Sequence, residues 1–182
     1  MHRPFRKPLI LMTPKSLLRH KKCTSFLADF GPGSSFHRVL RDQAESVPGA
    51  WTTKLAEDRE IRRVILCSGK VYFDLMEARD KLNESGVYIL RLEQLYSLSG
   101  RPAGTGAEPL PPRPTSSGAR RSRRTRAPGP SCGPASSRTI AQLGGTGSPR
   151  YVGRPEYAST AAGLMSQHNA ELKTFLAEAL TL

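Results

Sequence analysis

Two short strings set a hydroxyl and an ammonium where a ligand could be met. Ser68-Gly69-Lys70 follows the apolar run Ile61–Cys67 and opens a helical pattern. Ligands of α/β sheets bind at such strand-to-helix turns, where free first-turn N–H groups favour anions. The string lacks the G-x-x-x-x-G-K-[ST] spacing, so a nucleotide-hydrolase loop is unsupported. Thr13-Pro14-Lys15-Ser16 follows a second apolar run, Leu9–Met12. Each string also reads as a plain strand-ending turn. His2, His20, His37 and His168 are scattered, and His168 falls within an apolar helical stripe, as a core or interface histidine does. Cys23, Cys67 and Cys132 are odd in number with no C-x-x-C spacing, which argues against a disulfide framework and a zinc site and makes the cytoplasm the default compartment. No nucleophile–base order, paired carboxylate or metal spacing stands out, so no catalytic, cofactor-binding or metal residue is assigned.

The elements that would position these strings follow from periodicity. Pro8–Thr13 is a short continuous apolar run between prolines, the pattern of a buried strand, and Pro14–Arg19 is a turn or short helix. Phe36–Leu40 can form a strand, and Gly49–Asp58 reads as loop. Ile61–Cys67 is a strand. Lys70–Asn83 puts Val71, Tyr72, Leu75, Met76, Ala78 and Leu82 on one helical stripe, with Gly86 as its stop. Val87–Leu92 is the next strand. Strand, helix and strand within about 32 residues make a βαβ unit and a parallel sheet. Near the end, Arg150–Gly153 is a strand candidate. Ser159 or Thr160 can N-cap a last helix with the stripe Leu164, Met165, His168, Leu172, Phe175, Leu176 and Ala179.

The chain is 182 residues long, enough for one ordinary domain, with a formal net charge of +13. No apolar run approaches the roughly 18 residues of a membrane span, and Leu9–Met12 is too short for the core of a signal peptide. The charge is uneven. Ser97–Arg138 holds 8 Arg, 8 Pro, 8 Ser and 6 Gly against one acid, Glu108. Such a stretch cannot bury enough apolar surface to offset its chain entropy, so residues 97–138 are expected without regular structure. The chain thus divides into 1–96, 97–138 and 139–182. The Arg-rich run Gly118–Arg126 has the charge for phosphate contacts but no aromatic residue for stacking bases, which leaves a basic nucleic-acid-binding protein as an alternative function.

Five strings together resemble one family: FRKPLILMTPKSLLRHK (5–21), FHRVLRD (36–42), RRVILCSGKVYFDL (62–75), VYILRLEQLY (87–96) and RYVGRPEYASTAAGLMSQH (150–168). They are similar to the extreme C-terminal region of 2-oxoglutarate dehydrogenase, the thiamine-diphosphate-dependent decarboxylating component. The resemblance covers nearly all of 1–96 and 139–182. It implies the last domain of a transketolase-like enzyme, an α/β fold with a mixed, largely parallel sheet flanked by helices. It also implies, for the whole enzyme, oxidative decarboxylation of 2-oxoglutarate with succinyl transfer to lipoyl groups in the citric acid cycle. Thiamine diphosphate and magnesium would be its cofactors, a homodimer its assembly, and the lipoyl succinyltransferase its partner. The coenzyme and catalytic residues of the family match nothing in this chain, so the chain alone is expected to be inactive. Some members bind a coenzyme-A-type or nucleotide effector near the residues matching TPKS and SGK. Thr13 and Lys70 are therefore candidates for a regulatory anion site, against the reading of Lys70 as simply solvated.

Between LEQLY and the final strings the family pattern breaks. Where it has a PFP-type turn and a W-C-Q-E-E-P strand, this chain has the Arg/Pro/Ser/Gly segment. In a shifted reading frame, Pro114–Cys132 can encode D-V-V-W-C-Q-E-E-P-K-N-Q-G-A-W-T-F-V. In the other shifted frame, Ser97–Ala103 can encode P-F-P-A-G-P. The segment is thus expected to be out-of-frame translation, and its charge an accident of GC-rich codons. Without the family strand the sheet is expected to carry an exposed edge and the chain to be marginally stable.

Overall fold

The computed structural model describes residues 4–8, 10–47, 49–93, 116–120, 150–155 and 162–181. It divides into two compact units, Met1–Ser34 and Ser35–Leu182.

The first unit contains two single 3₁₀ turns, Lys15–Arg19 and Leu27–Phe30. Its bonds are local: the Pro14 carbonyl accepts from Leu17 N–H at 3.0 Å, and the Asp29 carboxylate accepts from Phe26 N–H at 2.9 Å. None of its described residues is buried. The strand expected over Pro8–Thr13 is not seen among its described residues, and Leu9 lies outside them: Ile10, Leu11 and Met12 belong to no ladder of the described residues and are 81%, 74% and 94% exposed. The physical reason is that a strand needs a neighbouring edge to receive its N–H and C=O groups, and no other described residue of this unit is in a strand.

The second unit is built on a sheet with the order β1-β3-β2-β4-β5. Its strands are β1 (Val39–Leu40), β2 (Arg63–Cys67), β3 (Val87–Leu92), β4 (Ser116–Arg120) and β5 (Arg150–Gly153). Three of the four pairings, β2 with β3, β2 with β4 and β4 with β5, are parallel, and β1 joins β3 antiparallel. The fold is the mixed, largely parallel α/β sheet that the sequence implies. Helix α1 (Gln43–Ser46) follows β1, α2 (Val71–Leu82) connects β2 to β3, and α3 (Met165–Leu180) ends the unit.

Strand alternation sorts the core into two layers. Val64 and Tyr88 cluster on one face with Leu90 and Ile61, under Leu55 and Ala56. Ile65, Cys67, Val87 and Ile89 take the opposite face. There Arg91 stacks on Tyr72 of α2, and the Arg63 guanidinium donates to the Ala179 carbonyl of α3 at 2.8 Å. Leu75, Met76, Phe175 and Ala179 are at most 2% exposed. Both faces of β2 and β3 are therefore covered, and their runs are apolar almost throughout.

The segment expected without regular structure holds one strand. Ser116–Arg120 pairs with β2 through Val64↔Ser116, Ile65↔Ser117 and Leu66↔Gly118, and with β5 on its other side. A ladder is made by backbone groups, and 116–120 contains no proline to interrupt it. The edge of β2 expected to be open is occupied by this strand. The rest of residues 97–138 lies outside the described residues. Two helix boundaries also differ. The α2 stop is Asn83, at φ 51°, whose N–H returns to the Arg79 and Asp80 carbonyls. Asparagine tolerates this left-handed geometry, and Gly86 instead precedes β3. Helix α3 begins after Leu164, which offers no side-chain cap. Ser159 and Thr160 lie outside the described residues.

Candidate functional site

The carboxyl end of β2 turns through Ser68, Gly69 and Lys70 into α2. Gly69 sits at φ +70°, a left-handed position that a residue with a Cβ enters at a cost. The turn closes with Tyr72 N–H to the Gly69 carbonyl at 3.2 Å and Phe73 N–H to the Lys70 carbonyl at 3.0 Å. Beside it, Arg91 at the end of β3 lies 4.8 Å from the Tyr72 ring centroid and 5.6 Å from that of Phe73. Such cation–π stacking holds the guanidinium against α2.

Both cations at this edge have an acidic partner. Lys70 Nζ is 2.5 Å from Asp74 Oδ1, one helical turn on. Arg91 Nε is 2.7 Å from Glu93 Oε1. An anion arriving here would compete with a carboxylate at each of them. Lys70 is thus ion-paired, where the bland reading has it simply solvated. Thr13 is exposed in the first unit, just before the Pro14–Arg19 turn, and Lys70 belongs to the second unit.

The most elaborate polar cluster is one that residue spacing did not reveal. Asp42 is 0% and Arg79 1% exposed, and they form a two-point ion pair, with Arg79 Nη2 to Asp42 Oδ1 at 2.9 Å. Asp42 Oδ1 also caps α1 by accepting Ala44 N–H at 2.9 Å, and Oδ2 accepts Ile89 N–H at 2.8 Å. Arg79 in turn donates to the Val87 carbonyl at 2.9 Å. Strand β1 stops after Leu40↔Arg91. Continuing that antiparallel register would set Asp42 opposite Ile89, so the carboxylate takes over where the ladder ends. Around it, Gln43 N–H donates to Tyr72 Oη at 3.0 Å, and Tyr88 Oη donates to Glu45. Burial pushes both phenols up from the ordinary tyrosine value, with the Asp42 charge adding at Tyr72 and the Glu45 bond at Tyr88. Burial likewise pushes the Cys67 thiol up, away from thiolate chemistry. The cluster is built around a structural clamp, in which Arg79 Nε alone of that guanidinium's nitrogens is buried without a hydrogen-bond partner.

A second clamp ties the end of β5 to α3. Arg154 Nη1 is 3.3 Å from Glu171 Oε2, and Nη2 donates to the His168 carbonyl at 3.2 Å and lies 3.2 Å from His168 Nδ1. His168 is half-buried in this contact, as an interface histidine would be. Among the described residues no group of three or more His, Cys, Asp or Glu could hold a metal ion. No helix among the described residues is long and apolar enough to cross a membrane.

Comparison with known proteins agrees with this architecture. Residues 24–103 match the family described as 2-oxoglutarate dehydrogenase C-terminal. The chain is 42% identical over 201 aligned residues to the 2-oxoglutarate dehydrogenase E1 component of Brucella ovis, and equally to those of Brucella canis and Brucella suis. The match takes in 99% of this chain and 18% of each relative, so the chain spans under a fifth of their length.

Proposed function

We propose, for a chain that belongs to the 2-oxoglutarate dehydrogenase E1 family as its C-terminal region, that it serves as a scaffold domain of that enzyme and is inactive alone. The observation that carries this reading is the 42% identity over 99% of the chain to an 18% portion of the relatives. The whole enzyme would decarboxylate 2-oxoglutarate and pass succinyl to the lipoyl group of a succinyltransferase, as a cytoplasmic homodimer. Thiamine diphosphate with magnesium would supply the decarboxylation chemistry from outside this chain. This chain contributes a clamped α/β sheet. The purified 182-residue chain, given thiamine diphosphate, magnesium and 2-oxoglutarate, should release no carbon dioxide. Turnover above the enzyme-free rate overturns the proposal.

The Arg-rich segment fits the same reading as out-of-frame translation. What supports this is the position of β4: Ser116–Arg120 falls inside the stretch whose shifted codons can begin D-V-V-W-C-Q. Resequencing the locus should find single-base frame changes near codons 97, 104–113 and 132–138. A clean reading frame through the segment would restore the competing nucleic-acid function. That function predicts duplex or single-strand binding that falls steeply with salt and disappears when 97–138 is deleted.

A further inference from the structure

We draw no further inference here: the strongest candidate, the pair of cations Lys70 and Arg91 at the carboxyl-end edge of β2 and β3, belongs to the candidate anion site already described, and each of them already faces a carboxylate.

Discussion

Leu9–Met12 and Val64–Cys67 are four-residue apolar runs of the same character, and the described residues of the two, Ile10–Met12 and Val64–Cys67, meet opposite fates. In the second, Ile65 is fully buried and Val64 and Cys67 nearly so. In the first, Met12 is 94% exposed. Composition does not distinguish them, and neither does the turn that follows each. The difference lies in what surrounds them. Val64–Leu66 has β3 on one edge and β4 on the other, with Leu55 and Ala56 above one face and helical side chains on the other. Among the described residues, Ile10–Met12 has no strand partner. A strand's stability is a property of its neighbours, and apolar sequence states only that neighbours are needed.

The sharpest way to break this comparison is to strip cover from the buried run. Asp42 and Arg79 hold α1, α2 and β3 together from inside the fold. Arg79→Ala leaves a buried carboxylate unpaired and should cost about 3–5 kcal/mol. That is a large share of the stability of a domain this size. Thermal unfolding followed by near-UV circular dichroism should show the transition lost or lowered by roughly 6–20 °C, on the scale of ~2–4 °C per kcal/mol for such a chain. An unchanged midpoint would mean that the pair holds nothing together.

A matched pair of truncations sharpens the comparison directly. Ile65→Ala removes fully buried methyl groups and should cost about 2–5 kcal/mol. Ile10→Ala, at 81% exposure, should change stability by no more than ~0.5 kcal/mol, as ordinary surface substitutions do. Urea unfolding of both variants measures this. A comparable loss at Ile10 would show that the first run is covered in solution.

Alkaline pH probes the buried side alone. Cys67, Tyr72 and Tyr88 all hold their protons more tightly in the folded chain than unfolded. Their contribution is fully present below the ordinary thiol and phenol values. Above them the unfolded chain loses protons that the folded chain keeps, so stability falls as pH rises. The decline should begin near the ordinary thiol value of ~8.5 and steepen past the phenol value of ~10. Cys67→Ala should remove the earlier part of the decline in a melting-temperature series from pH 7 to 11. A flat series would argue against the burial of all three groups.

The same logic explains what was legible beforehand. Periodicity located β2, α2, β3, β5 and α3 to within a few residues of their ends, because each element's own side chains carry its pattern and its cover lies in this chain. It misplaced the α2 stop at Gly86, since Asn83 can adopt the same left-handed turn. It passed over β4, whose ladder depends on backbone groups. The ion pair of Asp42 and Arg79 was invisible, because the two are 37 positions apart and each alone looks like a surface charge. The basic character of Lys70 and Arg91 could be read, but not the carboxylates of Asp74 and Glu93 that face them. Those pairings depend on where side chains lie once the turn has formed.

A smaller loss than those at Arg79 and Ile65 is expected at the turn that returns the chain from α2 to the buried strand β3. Asn83 occupies φ 51° and closes two carbonyls at the end of α2. Alanine in that left-handed geometry is disfavoured by roughly 1–2 kcal/mol, whereas glycine enters it without a Cβ clash. Asn83→Ala should therefore lower stability by about 1 kcal/mol and Asn83→Gly should leave it nearly unchanged, with the m-value constant in both. Native-state hydrogen exchange adds the link to the comparison. If the cap only ends the helix, the increase in exchange should be confined to the last turn of α2, with Val64–Cys67 still protected. Faster exchange throughout β2 in Asn83→Ala would show that even this exposed cap helps maintain the cover that Ile10–Met12 lacks.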